Sequence, residues 1–323
     1  MTPRQAYLLR RLAFLSLLVF LVSSASMVLA RLAPGDAAVE AVGQGATTAD
    51  IQRERERLGL TRGLGPSYVA WLSRALRLDF GESFRYGRPV LPLVAERAAN
   101  TALLGIVALL AATLVGIPLG IAAAGRRGVI DRLLLVLSTG ALSLPPLVLS
   151  IALAWIAART GWLPVGGMTT PGLDAAGAAA RTTDLARHLV VPALALAIPL
   201  AATLERLQAR TMVRALAAPW IQAARARGIP PGRLRWVHAA RVAAGPVIAV
   251  YGLLAGSVLS GSFAVEIVTA WPGLGRLTYE ALLARDVNLV AGCAAATAAC
   301  VAVGTLLADA ALAWIDPRTV EAS

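Results

Sequence analysis

Few groups on this chain could carry out chemistry. Its 323 residues include two histidines, His188 and His238, and two cysteines, Cys293 and Cys300. Neither histidine has the neighbours that a metal set or a nucleophile–base–orienter triad needs, so both read as interfacial anchors or hydrogen-bonding groups. The cysteines lie seven residues apart in one apolar run, where they behave as small apolar side chains. Two cysteines build no disulfide framework. All 30 basic residues are arginine. A Walker A phosphate loop needs a lysine to reach the phosphates, so the chain cannot supply that kind of ATPase site. An intramembrane enzyme would need a nucleophile and base on facing spans, and no such pair is evident. The prediction is a protein that is not an enzyme and holds no metal or cofactor of its own.

The remaining polar groups sit where polarity is expensive. Asp309 falls inside an apolar run, and Glu205 and Glu266 fall at the ends of others, positions that suggest roles. Ser143-Leu144-Pro145-Pro146 interrupts a further run near its middle. A helix broken at the bilayer midplane is where transporters build a pathway; a kink used for packing is the competing reading. Gly256 and Ser257 belong to a run rich in small residues that permits close helix approach and central packing. Pro145, Pro146, Gly256, Ser257, Glu266 and Asp309 are the pathway or gating candidates.

The other polar concentration is Arg206 to Arg241, with eight arginines and no acidic residue. Apolar runs flank it, so the positive-inside rule places it in the cytoplasm. A basic loop that only sets topology is the simpler reading, but the centre of the stretch shows more. Pro219 suits the first turn of a helix, Trp220 to Arg227 contains good helix formers, and Gly228 stands where a left-handed cap belongs. Pro230 and Pro231 forbid continuation. The spacing predicts one short helix with Trp220, Ile221 and Ala224 on one side, a shape suited to docking.

A membrane protein must position these groups. Hydrophobic residues make up 58% of the chain and the mean hydropathy is +0.70. The net charge of +12 raises nucleic acid as a partner, but the arginine clusters abut apolar spans, and the membrane surface explains them better. Spans are expected at about 12–32, 101–124, 133–158, 188–204, 243–265 and 289–314, each near the ~20 residues that cross a bilayer. The first could also be a signal peptide, but it is longer than a typical signal core. Residues 33–97 carry nine arginines and eight acids, and long loops translocate largely regardless of charge. Within them 51–60 reads as a short charged helix closed by Gly59, and 68–78 as an amphipathic one. Turn residues Pro34-Gly35-Asp36 and a basic turn at 125–132 punctuate the chain. The expected fold is an all-α polytopic membrane protein with six transmembrane helices, both termini cytoplasmic, and a long external segment between the first two.

Gln222-Ala223-Ala224 followed by Gly228 resembles the EAA loop of ABC-importer membrane subunits, with Gln for the usual Glu. The run IQAARARGIPPGRLRWVHAARVAAGPV is similar to the version found in dipeptide, oligopeptide and nickel permeases. FGESF, GIPLG, RRGVIDR, GWLP, HLVVPAL, WPGLGRL, ARD and the terminal DPR follow that family's order over about residues 5–320. Val242 departs from it where an Asn is common. The resemblance implies a permease subunit of a bacterial cytoplasmic-membrane importer for peptides or a similar small solute. It also implies that the loop carries a coupling helix, with Trp220, Ile221, Gln222, Ala223, Ala224, Arg225 and Gly228 docking an ATPase. Glu266 and Asp309 fall at family-typical acidic positions, which favours a structural or gating role. Partners so implied are a second homologous permease forming a heterodimer, two ABC ATPase subunits that bind ATP and Mg, an external solute-binding protein and the lipid membrane, with no nucleic acid. Its organisation would be 1–32 as tail and first helix, 33–97 external, 98–318 as a five-helix core including the loop 206–241, and 319–323 as tail. An ion-gradient-driven secondary transporter is the alternative; it would leave the capped loop unexplained, and no internal repeat supports it.

Overall fold

A computed structural model describes residues 3–33, 37–42, 47–57, 61, 63–125, 128–173 and 177–315. Pro34-Gly35-Asp36, Gly59, Arg126-Arg127 and Asp316-Pro317-Arg318, all singled out in the sequence, lie outside the described residues. The regular elements of the described residues are helices, and their one β contact is an isolated antiparallel bridge between Glu82 and Pro89. In chain order the helices are α1 (Pro3–Leu32), α2 (Ala37–Val42), α3 (Thr48–Arg57), α4 (Leu64–Ala75), α5 (Val90–Ala123), α6 (Val129–Ser143) and α7 (Pro146–Thr160). Then come α8 (Ala178–Leu216), α9 (Pro219–Ala226), α10 (Pro231–Arg233), a π-helical stretch Leu234–Ala239, α11 (Ala240–Val268), α12 (Leu274–Leu283) and α13 (Val287–Ile315).

Among the described residues, five helical stretches are long and apolar enough to cross a bilayer: Leu9–Leu32, Val90–Ala123, Ala178–Leu216, Pro231–Val268 and Val287–Trp314. The third expected span differs. It is two helices, Arg132–Ser143 and Pro146–Thr160, bent by 102°. At ~1.5 Å per residue neither half covers the ~30 Å hydrocarbon core, so six crossings result only if the pair acts as one. Pro146 forces the bend: it takes the first turn of α7 and pushes Pro145 to an extended conformation, φ −59° and ψ 144°.

Helix α8 is the larger departure from expectation. It runs 39 residues instead of the short span 188–204, so Arg206, Arg210 and Arg214 continue a membrane helix and are not loop residues. Pro192 and Pro199 lie inside it without ending it. Each removes one backbone donor, a loss that neighbouring groups in a membrane protein can compensate, and the Arg, Leu, Gln and Ala that follow are strong helix formers. Likewise α5 begins at Val90, inside the expected external segment, with Pro92 tolerated in its first turn.

The chain divides into two compact units. One comprises Leu8–Ala102 and Pro272–Ala302. There α4 lies on α1: Tyr68 donates from its hydroxyl to Ser24 Oγ (3.1 Å) and Arg31 from Nη2 to Ser67 Oγ (2.8 Å). The apolar side of α4 buries Trp71 against Met27, Val287 and Ala291. The other unit contains Leu103–Trp271, and its core is the buried side of α8 (Leu189, Ala193, Leu196, Leu200, Leu204) packed with Leu104 and Ala108 of α5 and Val247, Leu254 and Val258 of α11.

Candidate functional site

Helix α9 is held between the ends of longer helices, and its sequence dictates its length. Ala218 is extended at ψ 144° and Pro219 opens the first turn, where its missing N–H costs nothing. At the other end Gly228 has φ +82°, a conformation that glycine adopts freely. Its N–H donates to Arg225 O (2.9 Å) and that of Ile229 to Ala224 O (3.3 Å). These two bonds form a Schellman cap, which satisfies carbonyls that the helix end would otherwise orphan.

The two sides of α9 differ. Ile221 is fully buried and Ala224 is 5% exposed. They pack with Ile121, Met212, Ala215, Leu234 and Ala243, burial worth about 1.5–3 kcal/mol for the isoleucine. Trp220, Gln222, Ala223, Arg225 and Arg227 are exposed. The residues grouped in the sequence as one docking set therefore separate. Ile221 and Ala224 fasten the helix to its own chain, and Trp220 parts from them to the outer side.

Arg235 fixes the next segment. From the π-helical stretch it donates through Nη1 to Ala122 O (2.7 Å) and through Nη2 to Ala124 O (2.9 Å). A cation on the last carbonyls of α5 completes hydrogen bonds and opposes the helix dipole. Farther up α5, Gly116 and Gly120 of the GIPLG motif face α8. A Cβ on Gly116 would come 2.5 Å from Ala201 O, and one on Gly120 would come 2.6 Å from Glu205 O and 2.7 Å from Gln208 Cβ. Their spacing of four places both on one side of α5, so backbone meets backbone. Thr113 adds a hydroxyl contact with Tyr251 of α11 at 2.6 Å.

The pathway candidates are distributed. Pro145 and Pro146 form the bend, and Pro146 lies against Gly261 of α11, where an added Cβ would be 3.4 Å from its Cγ. Gly256 and Ser257 lie farther back on α11; a Cβ on Gly256 meets nothing within 4 Å, and Ser257 bonds back to Leu253 O (3.2 Å). Glu266 is fully buried near the end of α11, and Asp309 is half-buried on α13. Glu205 is 8% exposed, with Oε2 unpartnered among the described residues. His188 is tied through Nδ1 to Asp184 O (2.9 Å) on its own helix, and His238 belongs to the π-helical stretch.

In the unit of Leu8–Ala102 and Pro272–Ala302, two sequence motifs meet. FGESF turns at Gly81, and Asp286 of the ARD motif accepts from Ser83 Oγ (2.6 Å), Arg85 N (3.1 Å) and Leu289 N (3.0 Å). The last of these makes Asp286 the N-cap of α13. Asn288 donates to Glu82 O (2.9 Å). Tyr86 donates to Glu280, which also pairs with Arg276 (3.0 Å). The WPGLG turn is tied to α5 by Asn100 Nδ2 donating to Pro272 O (2.8 Å) and by Leu274 N donating to Thr101 Oγ1 (2.8 Å). Sequence reasoning found the motifs but not their meeting, and it assigned Arg235 only a topological charge.

Fold and site together define a multi-pass helical membrane protein whose long spans are interrupted by one short capped helix. The chain belongs to the family described as the binding-protein-dependent transport system inner membrane component, which it matches over residues 116–321. Residues 5–105 match the N-terminal family of the same transport systems. It is 32% identical to a probable peptide ABC transporter permease of Sinorhizobium fredii, over 97% of this chain and 98% of that one. It is also 32% identical to an oligopeptide transport system permease of Bacillus subtilis, with the same coverage. A glutathione transport system permease of Escherichia coli is 31% identical over 88% of this chain and 89% of its own length. The chain is thus a membrane permease of the ABC-transporter class, a transporter subunit and not an enzyme.

Proposed function

We propose that this permease forms, with a second homologous permease, the translocation pathway of a bacterial inner-membrane importer for short peptides. Helix α9 is its coupling helix. The observation that carries this reading is α9 itself: short, Schellman-capped, anchored inward by Ile221 and Ala224, and presenting Trp220, Gln222, Ala223 and Arg225 outward. A partner ATPase that closes on ATP and Mg moves α9, and α9 transmits the motion through its packing on α5, α8 and α11. The arginines of 206–241, unanswered by any acid, support a cytoplasmic position for this region by the positive-inside rule, and six crossings, with the bent pair α6–α7 acting as one span, put both termini on the same side. The nearly balanced residues 33–97 then lie outside, where a solute-binding protein delivers its cargo. Peptide as the solute class comes from the relatives, whose names specify peptide, oligopeptide and glutathione transport. Pro145, Pro146, Gly256, Ser257, Glu266 and Asp309 remain the proposed pathway and gating positions.

The test is ATPase coupling in liposomes. The purified chain alone should hydrolyse no ATP, and activity should need two ATPase subunits and rise with peptide-loaded binding protein. Hydrolysis by the isolated chain that survives repurification, or uptake driven by an ion gradient without the ATPases, would overturn the reading.

A further inference from the structure

Pro231–Val268 runs as one helical stretch, but Leu234–Ala239 within it is π-helical. The N–H of Leu234 donates to Pro230 O, four residues back (3.0 Å), whereas that of Ala240 reaches Arg235 O, five residues back. Such a turn holds one residue more than an α turn, is rare, and occurs frequently at functional sites. Packing accounts for it. Leu234 and Ala239 are both buried in one cluster with Ile121 of α5, Met212 of α8 and Ile221 of α9. Five positions along a regular α-helix would set them about 140° apart, on different sides. An i→i+5 turn brings them to the same side. Arg235 follows, its guanidinium spread over Ala122 O and Ala124 O at the end of α5. Leu234 and Arg235 together hold the backbone against its general preference for α.

We propose that Arg235 is a positioning residue for transport, the latch of a register switch between π and α. Docked on α5, it keeps Leu234–Ala239 in the π register. When α9 is displaced, Leu234 leaves the cluster and the stretch relaxes to α. Pro231–Arg235 then turns by about 100°, one residue's worth, relative to α11. Ile221 of α9 and Leu234 share the cluster, so a pull on α9 acts on the latch directly. The switch rests on the coupling role proposed above for α9, and it supplies a discrete two-state element for the motion to bias. Were Arg235 only a cap for α5, its loss would lower stability and leave register and coupling alone.

Two variants separate these roles. Arg235→Met removes both carbonyl bonds. Deletion of Val237, an exposed residue, takes out the surplus residue: Leu234 and Ala239 become four apart and share one side of a plain α-helix, with no second register to enter. The full chain, with Cys293 and Cys300 replaced by alanine, is spin-labelled in lipid nanodiscs through Leu114→Cys and Gly232→Cys. Leu114 is exposed, and a Cβ on Gly232 meets nothing within 4 Å. The unaltered latch should give one label separation and Arg235→Met a second. Arg235→Lys, which keeps a cation for one carbonyl, should show mostly the first, and the deletion the first alone. In proteoliposomes with the partner permease, ATPases and binding protein, basal ATP hydrolysis should persist in all variants. Stimulation by loaded binding protein should fall at least roughly fivefold in Arg235→Met and in the deletion, and less in Arg235→Lys. An unchanged single separation in Arg235→Met, or wild-type stimulation in the deletion, would overturn the switch. The separations are read on the chain alone, so the two readings fail separately. A wild type that the ATPases do not drive refutes the function proposed above, whereas variants coupled as well as the wild type refute only the latch.

Discussion

Ser83 donates its hydroxyl hydrogen to Asp286 Oδ2 at 2.6 Å, joining residues 203 positions apart in a fully buried site. That carboxylate also accepts from two backbone N–H groups, and Ser83 Oγ accepts from Tyr86 N at 3.1 Å. The Gly81–Pro89 turn is therefore pinned to the start of α13 by one acid. Asp286→Ala would strand all three donors and remove a helix cap. It should cost about 3–5 kcal/mol, built from unsatisfied donors at ~1–3 kcal/mol and a cap at ~1 kcal/mol. Ser83→Ala leaves the cap and both backbone bonds, and should cost about 1–2 kcal/mol. Thermal unfolding with limited proteolysis near residues 81–89 checks the order. A tolerated Asp286→Ala would show that the turn is held by other contacts.

The pair of Tyr86 and Glu280 should give this unit a pH signature. Burial pushes the Tyr86 hydroxyl above its ordinary value, and its bond to Glu280 adds to the shift. For Glu280, burial opposes ionisation, yet the bonds from Tyr86 and Arg276 together hold its carboxyl below the ordinary value. The depressed Glu280 stabilises the fold above its unfolded pKa of ~4.3, and that contribution is lost as pH falls through the folded value. The raised Tyr86 stabilises below ~10, and its contribution is lost as pH rises through the folded value. The difference in unfolding temperature between wild type and Tyr86→Phe should be flat from about pH 5 to 9 and shrink at both ends. A difference that grows toward either extreme would contradict the assignment.

Much of α9 could be read before any coordinates because its signals are local. Pro219, Gly228, Pro230 and Pro231 act on their own backbone, and the helix ends where they say. The length of α8 could not be read that way. Its prolines and arginines look like boundaries, and only packing against α5, α6, α7 and α11 shows them absorbed into one helix. The same limit hid the inward turn of Ile221: helical spacing groups it with Trp220 and Ala224, but burial by Ile121 and Met212 is a tertiary fact. Arg235 is the plainest case. As one of eight arginines it is anonymous, until the end of α5 arrives beneath its guanidinium.

Gly120 should tolerate no side chain. A Cβ there would stand 2.6 Å from Glu205 O and 2.7 Å from Gln208 Cβ, so α5 and α8 must separate. Overpacking of this kind costs about 1–3 kcal/mol, and Gly120→Val should unfold at lower temperature with reduced yield. Gly140, on α6, is the control, since a Cβ there meets nothing within 4 Å. Gly140→Ala should be neutral or slightly stabilising, as alanine favours helix by up to ~1 kcal/mol. Equal stability of the two variants, measured by thermal unfolding in detergent, would show that the helices do not press together at Gly120.

Gly228 isolates coupling from folding. Its φ is +82°, and an added Cβ would meet nothing within 4 Å, so a substitution there is limited by backbone strain and not by space. Valine at such an angle carries strain of about 1–3 kcal/mol. The cheapest relief is to abandon the Schellman bonds to Arg225 O and Ala224 O, which frays the C-terminal turn of α9. Ile221 sits earlier in the helix and is fully buried, so the anchor holds while Arg225 and the exposed side of the last turn lose their fixed position. The long helices, which make no use of the cap, should be indifferent. Gly228→Val should therefore reach the membrane and assemble at near wild-type levels, yet lose most uptake and most binding-protein-stimulated ATPase activity. Gly228→Asn should lose less, because asparagine enters the left-handed region more readily. Measuring uptake, ATPase stimulation and co-purification of the ATPase subunits on the same preparations separates the cases. Normal uptake by the valine variant would mean that Pro230 and Pro231 suffice to end the helix, and that the cap has no part in coupling.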